Sequence, residues 1–293
     1  MRTRKFKWLF KLSQLAAISL IVLPFTLAST SSYFLDSSRL EIQASPQTHV
    51  ASGSIKVSSN SERTIRLKVI PKLWRLNPQG VLVYSKPAEN EYPLLDNIRV
   101  NPEEFELLPG KSRLVRFIVK VSPDAQDAEY PFQLYFEPTS LLEPDVKKPN
   151  VNVSNVLDVI PVFTTTVYAY QGDPKPKTSI NTFACGYDAE AKQVSVDLTL
   201  NNAGSKHARV FGNAILSRQS EKEANEVLDV LHLQNASLII VFPNTPRQIQ
   251  NQMALKNNQA LEAGQYQLEL RLVDERNLQP AVESMCEFTV PKV

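Results

Sequence analysis

Short runs of alternating apolar and polar residues, separated by turn residues at roughly ten-residue spacing, are the feature that most restricts how this chain can fold. Ile55–Val57, Thr64–Ile70, Gly80–Tyr84, Leu114–Val121, Phe132–Phe136 and Val156–Tyr170 are rich in Val, Ile, Phe, Tyr and Thr. Between them stand Asn60-Ser61, Asn77-Pro78, Pro109-Gly110 and Pro123-Asp124. Branched and aromatic side chains suit a pleated, half-buried surface, so the pattern predicts an antiparallel sandwich or barrel. An alternating α/β fold needs long helices, and this half offers none. Glycine is also scarce, 8 residues against 20 prolines, which argues against glycine-rich phosphate loops and a doubly wound nucleotide fold.

Gly172-Asp173-Pro174-Lys175-Pro176 breaks the alternation, because prolines two apart cannot both sit in a central ladder. It reads as a linker. Strands resume at Ser179–Cys185, Gln193–Asn201, Ala208–Ser217, Ser237–Phe242, Gln265–Val273 and Ser284–Val290. Ser220–Leu233 differs: Val227, Leu228, Leu231 and His232 share one helical face, so a short helix is expected there. The expected fold is all-β, with two immunoglobulin-like β-sandwich domains over 29–171 and 177–293, joined at 172–176. The second carries a short helical insertion. The 293-residue length agrees with two cores.

The N-terminus is read separately. Arg2, Arg4, Lys5, Lys7 and Lys11 precede an uncharged apolar run, Leu15–Leu27, and Thr26 and Ala28 suit the positions before a cleavage site. This is the layout of a secretory signal over residues 1–28, with an apolar run shorter than the roughly 20 residues of a membrane-spanning helix. Its removal takes five of the 32 basic residues and none of the 30 acidic ones, leaving a weakly acidic exported chain. Nucleic-acid binding then has no electrostatic basis.

In an oxidising compartment Cys185 and Cys286 are expected to form a disulfide, the alternatives being two buried thiols or an intermolecular bridge. No Cys-x-x-Cys spacing supports a redox pair. His49, His207 and His232 are scattered, with no neighbour at metal-ligand spacing, and Glu103-Glu104 reads as a solvated turn. No nucleophile, base and oxyanion site assembles from the sequence. No enzyme activity, cofactor or metal is expected.

Three segments, in order behind the leader, resemble the N-terminal domain of the periplasmic pilus-assembly chaperones of the chaperone–usher pathway (PapD-like). They are Leu35–Leu40, the stretch from Asn101-Pro102 through Phe105–Ser112 to Val115–Phe117, and Asn155–Phe163. The resemblance covers about 35–171; the second domain is similar only in position and strand content. It implies a periplasmic chaperone that caps incomplete pilus or fimbrial subunits by lending them a strand. Main-chain pairing supplies affinity and every second side chain supplies fit. Leu157, Val159, Pro161 and Phe163 would enter the client, while Val156, Ile160 and Val162 would pack inward. A strand apolar on both faces is also what a central sandwich strand looks like.

The resemblance assigns Arg39 to the client's C-terminal carboxylate, with a family Lys whose position is taken here by Thr166. It makes Arg116 and Glu129 a buried interdomain salt bridge, with Asp274 as third member. Secreted pilus or fimbrial subunits are the implied partners, with an outer-membrane usher and a self-capping homodimer as further ones. The alternative, favoured by the absent Lys, is a structural or adhesive immunoglobulin-like envelope protein that captures no client. A carbohydrate-binding or hydrolytic envelope protein rests on fold analogy alone.

Overall fold

The computed structural model describes residues 32–84, 93–124, 126–142, 161–220, 224–233, 238–256 and 259–292. In chain order its strands begin β1 (Tyr33–Leu35), β2 (Arg39–Gln43), β3 (Val50–Ser59), β4 (Thr64–Leu76), β5 (Leu82–Tyr84) and β6 (Ile98–Asn101). Next come β7 (Glu104–Leu107), β8 (Ser112–Lys120), β9 (Ala128–Leu142), β10 (Phe163–Gln171), β11 (Thr178–Asp188) and β12 (Gln193–Asn202). The last six are β13 (Ala208–Arg218), β14 (Glu226–His232), β15 (Ile239–Val241), β16 (Arg247–Ala254), β17 (Gly264–Asp274) and β18 (Pro280–Val290).

These strands form two sandwiches. The first packs a sheet ordered β1-β3-β8-β6 against one ordered β2-β10-β9-β4-β5, with β7 also paired to β4. The second packs β11-β12-β16 against β14-β13-β17-β18, with β15 paired to β13. Alternation fixes which side chains face inward, since successive residues of a strand point to opposite faces. Val115, Phe117 and Val119 of β8 meet Phe132, Leu134 and Phe136 of β9 in one core, which runs from Tyr33 to Ala169. Tyr266, Leu268, Leu270 and Leu272 of β17 and Val194, Val196, Leu198 and Leu200 of β12 build a separate one. Burying a Val, Leu or Phe side chain contributes about 2 kcal/mol, so each row supplies much of its own sandwich's driving force.

The expected helix within Ser220–Leu233 is not there. Glu226–His232 is strand β14, antiparallel to β13 with Leu231 opposite Ala214. Leu231 and Leu233 point inward, whereas Val227 and Val230 face water. Val227, Leu228 and Leu231 fit a helical face by number, but β13 supplies an open edge, and pairing along it prevails over local periodicity. One short strand of the first sandwich, β6, and β16 of the second lay outside the sequence expectation.

The disulfide joins Cys185 of β11 to Cys286 of β18, one outer strand from each sheet of the second sandwich. Between the sandwiches, β10 ends at Gln171 and β11 opens at Thr178. The intervening residues are held to the turn after β12: Ser205 N–H donates to the Lys175 carbonyl and Ala203 N–H to the Lys177 carbonyl, both at 2.9 Å. Gly172 has φ +70°, and a Cβ there would stand 2.1 Å from the Gln126 carbonyl oxygen, so the chain turns out of β10 where only glycine fits.

Candidate functional site

Inward-facing Val167 and Ala169 of β10 place Thr164, Thr166, Tyr168 and Tyr170 on the outer face of the six-stranded sheet. By the same alternation β2 presents Arg39 and Glu41 there, β9 presents Glu129, Gln133 and Tyr135, and β4 presents Lys72 and Trp74. This face meets the second sandwich. Trp74 lies edge-on to Tyr168 (6.1 Å between centroids) and to Phe242 (5.2 Å), forming a small apolar knot between the two cores.

Beside the knot sits a buried polar junction. One Glu129 oxygen accepts both the His207 backbone N–H (2.9 Å) and its Nδ1–H (2.7 Å). Arg276 donates to His207 Nε2 (3.2 Å) and to its carbonyl oxygen. The ring is therefore neutral, a donor at Nδ1 and an acceptor at Nε2, and it stacks on Tyr168 at 3.9 Å. Burial lowers the His207 pKa below the ordinary imidazole value, against the opposing pull of Glu129. Desolvation favours the uncharged ring.

Further along, Glu275 bridges two arginines. Arg209 Nε donates to Oε2 at 2.5 Å, and Arg39 Nη1 reaches the same oxygen at 3.2 Å. Arg209 above all, with Arg39 behind it and partial burial opposing both, holds the Glu275 carboxyl down to about 2. Lys206 pairs with Glu41 at 2.9 Å on the same side.

Register places Arg39 opposite Thr166, Thr166 opposite Gln133, and Gln133 opposite Lys72, a row across four strands with a base at each end. Gln133 Nε2 donates to Thr166 Oγ1 at 3.2 Å, and Lys72 Nζ lies 4.0 Å over the Tyr135 ring. Thr166 is thus the cross-strand neighbour of Arg39. In this structure Arg39 has taken a carboxylate from its own chain.

The edge of β10 opens at the same point. The β2 pairing begins at Arg39 opposite Thr166, and Thr166 N–H donates to the Ser38 carbonyl. Upstream, Phe163–Thr165 pair with β9 on one side; among the described residues no strand pairs with them on the other. Tyr33 Oη donates to the Phe136 carbonyl and accepts the Phe163 N–H, so it bridges the start of β10 to β9. Thr164, two residues before Thr166, points its backbone N–H toward the open side.

Of the proposed donor residues, Leu157 and Val159 lie outside the described residues. Pro161 is exposed just before β10, and Phe163 opens it, 36% exposed and edge-on to Tyr33. The expected Arg116–Glu129–Asp274 salt bridge does not assemble. Arg116 is exposed on β8, in the opposite sheet, and Glu129 pairs with His207 instead. The reason is alternation: Val115 and Phe117 face the core, so Arg116 must face water. Asp274 serves its own turn, accepting the Arg276 N–H at 2.8 Å. Its neighbour Glu275 makes a contact between sandwiches, to Arg39. Glu275 and Arg276 went unrecognised in the sequence because turn charges ordinarily read as solvated, and His207 because it has no sequence neighbour of matching chemistry. Among the described residues no His, Cys, Asp or Glu cluster can hold a metal ion.

No family model and no curated protein matches the chain. Solved structures do resemble it. Several are fimbrial chaperones. One belongs to a chaperone–tip adhesin complex of CFA/I fimbriae biogenesis, at 14% identity and TM-score 0.42, spanning 88% of this chain and 98% of that one. A second is from the CsuC–CsuE chaperone–tip subunit pre-assembly complex of Acinetobacter baumannii, at 14% identity and TM-score 0.41, spanning 74% and 89%. The class 5 fimbriae chaperone CfaA is similar at 14% identity and TM-score 0.40, over 88% and 99%. Likenesses of this degree assign no role to any residue here.

Proposed function

We propose that this chain is an exported chaperone of the envelope, a divergent relative of the PapD-like pilus-assembly chaperones. It would bind incomplete fimbrial subunits by β-strand addition in the periplasm, without ATP or a metal. The observation that carries this reading is the side of Phe163–Thr165 on which, among the described residues, no strand pairs, and which ends at Arg39. A client strand laid there parallel to β10 ends head-on at the start of β2 and presents its C-terminal carboxylate to the Arg39 guanidinium. Main-chain pairing gives such a complex affinity, and a charge-assisted contact fixes its register. The apolar residues upstream, Leu157, Val159 and Pro161, would extend the same strand into the client. An outer-membrane usher is the natural recipient of the loaded complex, and a homodimer through the open edge would protect the free chaperone.

The test is recovery of the tagged exported chain from the envelope of fibre-bearing cells, with mass spectrometry of what co-purifies. A stoichiometric small secreted β-protein is expected with the native chain, and its recovery should fall about tenfold with Arg39→Ala. Undiminished capture by a folded Arg39→Ala protein would sink the anchor. The second reading, an envelope protein that captures nothing, draws on Thr166 standing in for a base and on Glu275 covering Arg39. It gives a monomer with no client in the same experiment.

A further inference from the structure

We infer that Glu275 is a positioning residue that occupies the carboxylate site of Arg39 from within and sets how strongly a client carboxylate binds there. The inference rests on the strand-addition reading. Its observation is separate: Arg39, 40% exposed at its side chain and set where the β10 edge opens, donates to Glu275 Oε2 at 3.2 Å. Glu275 does not depend on that contact. Arg209 holds it with two bonds, Nε to Oε2 at 2.5 Å and Nη2 to Oε1 at 3.3 Å, and is the more buried of the two arginines. When an incoming carboxylate takes Arg39, Glu275 keeps its Arg209 partner and no carboxylate is left unpaired. The internal pair is thus a replaceable one, an exposed ion pair of small intrinsic strength exchanged for another.

Two consequences follow from the geometry. A ligand lacking the terminal charge has nothing to offer Arg39 in exchange, so Glu275 sharpens selection for a free C-terminus over a neutral one. Arg39 stands on the first sandwich and Glu275 on the turn after β17 of the second, so client binding releases one tie between the sandwiches. By linkage, weakening that tie must strengthen client binding equally.

The experiment uses the purified exported chain and two acetyl-capped heptapeptides of alternating Val and Thr, one ending in a free carboxylate and one in an amide. The native protein is expected to bind the acid more tightly than the amide. Glu275→Gln should bind the acid about two- to fivefold more tightly than the native protein, the strength of the exposed pair it removes, and leave the amide unchanged. Glu275→Asp keeps the charge on a shorter arm and should fall between the two. Arg39→Ala with Glu275→Gln should lose the discrimination. Unchanged or weaker acid binding by Glu275→Gln, with discrimination intact in the native protein, overturns the inference and leaves the strand-addition reading standing. Equal binding of both peptides by the native protein, or binding of neither, overturns that reading and the inference with it. Amide affinity serves as the folding control, since a misfolded variant loses both peptides.

Discussion

Removing the Cys185–Cys286 bridge, by reduction or by the paired change to Ala, is expected to destabilise the second sandwich by up to about 4 kcal/mol and to leave the first nearly untouched. The bridge spans 101 residues of sequence, so reduction returns to the unfolded chain the freedom of a loop nearly as long as the whole sandwich. Position adds to length. β11 and β18 lie at the outer edges of their sheets, where among the described residues no further strand helps hold the layers together. The partly buried Cys185, Cys286, Phe183 and Phe288 pack against the core at that margin. Urea unfolding of the oxidised and reduced protein, followed by circular dichroism and calorimetry, measures the loss. Because the two cores share no residue, one transition should move and the other stay. A shift below about 1 kcal/mol, within what denatured-state structure alone can absorb, would show that the layers need no clip.

Much of this architecture is legible in the sequence because sandwich strands write their burial into alternate positions. β8, β12 and β17 declare themselves this way, and the same alternation exposes Arg116. What alternation cannot state is which distant segment covers a face. Glu129 and His207 lie 78 residues apart, and Glu275 and Arg39 lie 236 apart. Each looks ordinary in its own neighbourhood. Glu129 sits at the start of a strand, where a carboxylate is usually solvated, and Glu275 sits in a turn. They become a site when the linker is held on the turn after β12 and brings the second sandwich onto the outer face of β2, β10, β9 and β4. β14 was misread for a related reason: its seven residues fit either period, and the edge of β13 decides between them. Arg39 and Thr166 were linked by resemblance, and the parallel register of β2 on β10 makes them neighbours.

The junction between the sandwiches should fail first at Glu129. Glu129→Ala removes the acceptor of two buried donors, the His207 backbone N–H and Nδ1–H, and leaves Arg276 facing a ring with no counter-charge behind it. Leaving a buried donor unsatisfied costs about 1–3 kcal/mol, and this change orphans two at once. Trp74 reports the outcome, because the chain's other tryptophan, Trp8, lies within the residues read as a leader. Wedged between Tyr168 and Phe242, Trp74 should shift its emission to the red as the sandwiches part, before either core unfolds. Acid should do the same more gently. The unfolded imidazole binds its proton near 6.5, whereas the buried one does so only at lower pH. The stabilisation is therefore complete above that value and is lost as pH falls toward the native pKa, since the unfolded state then holds more protons. Glu41 and Glu275, held below the ordinary carboxylate range, begin to add their loss only at more acidic pH, so the first loss on acidification belongs to His207. His207→Asn keeps a side-chain N–H for Glu129 and removes the titrating ring; it should flatten the dependence between pH 7 and 5. An unshifted Trp74 emission in a folded Glu129→Ala protein would mean that the apolar knot and the remaining polar ties, Arg39–Glu275 and Lys206–Glu41 among them, hold the sandwiches together without Glu129. A pH slope that survived His207→Asn would assign the titration to another group.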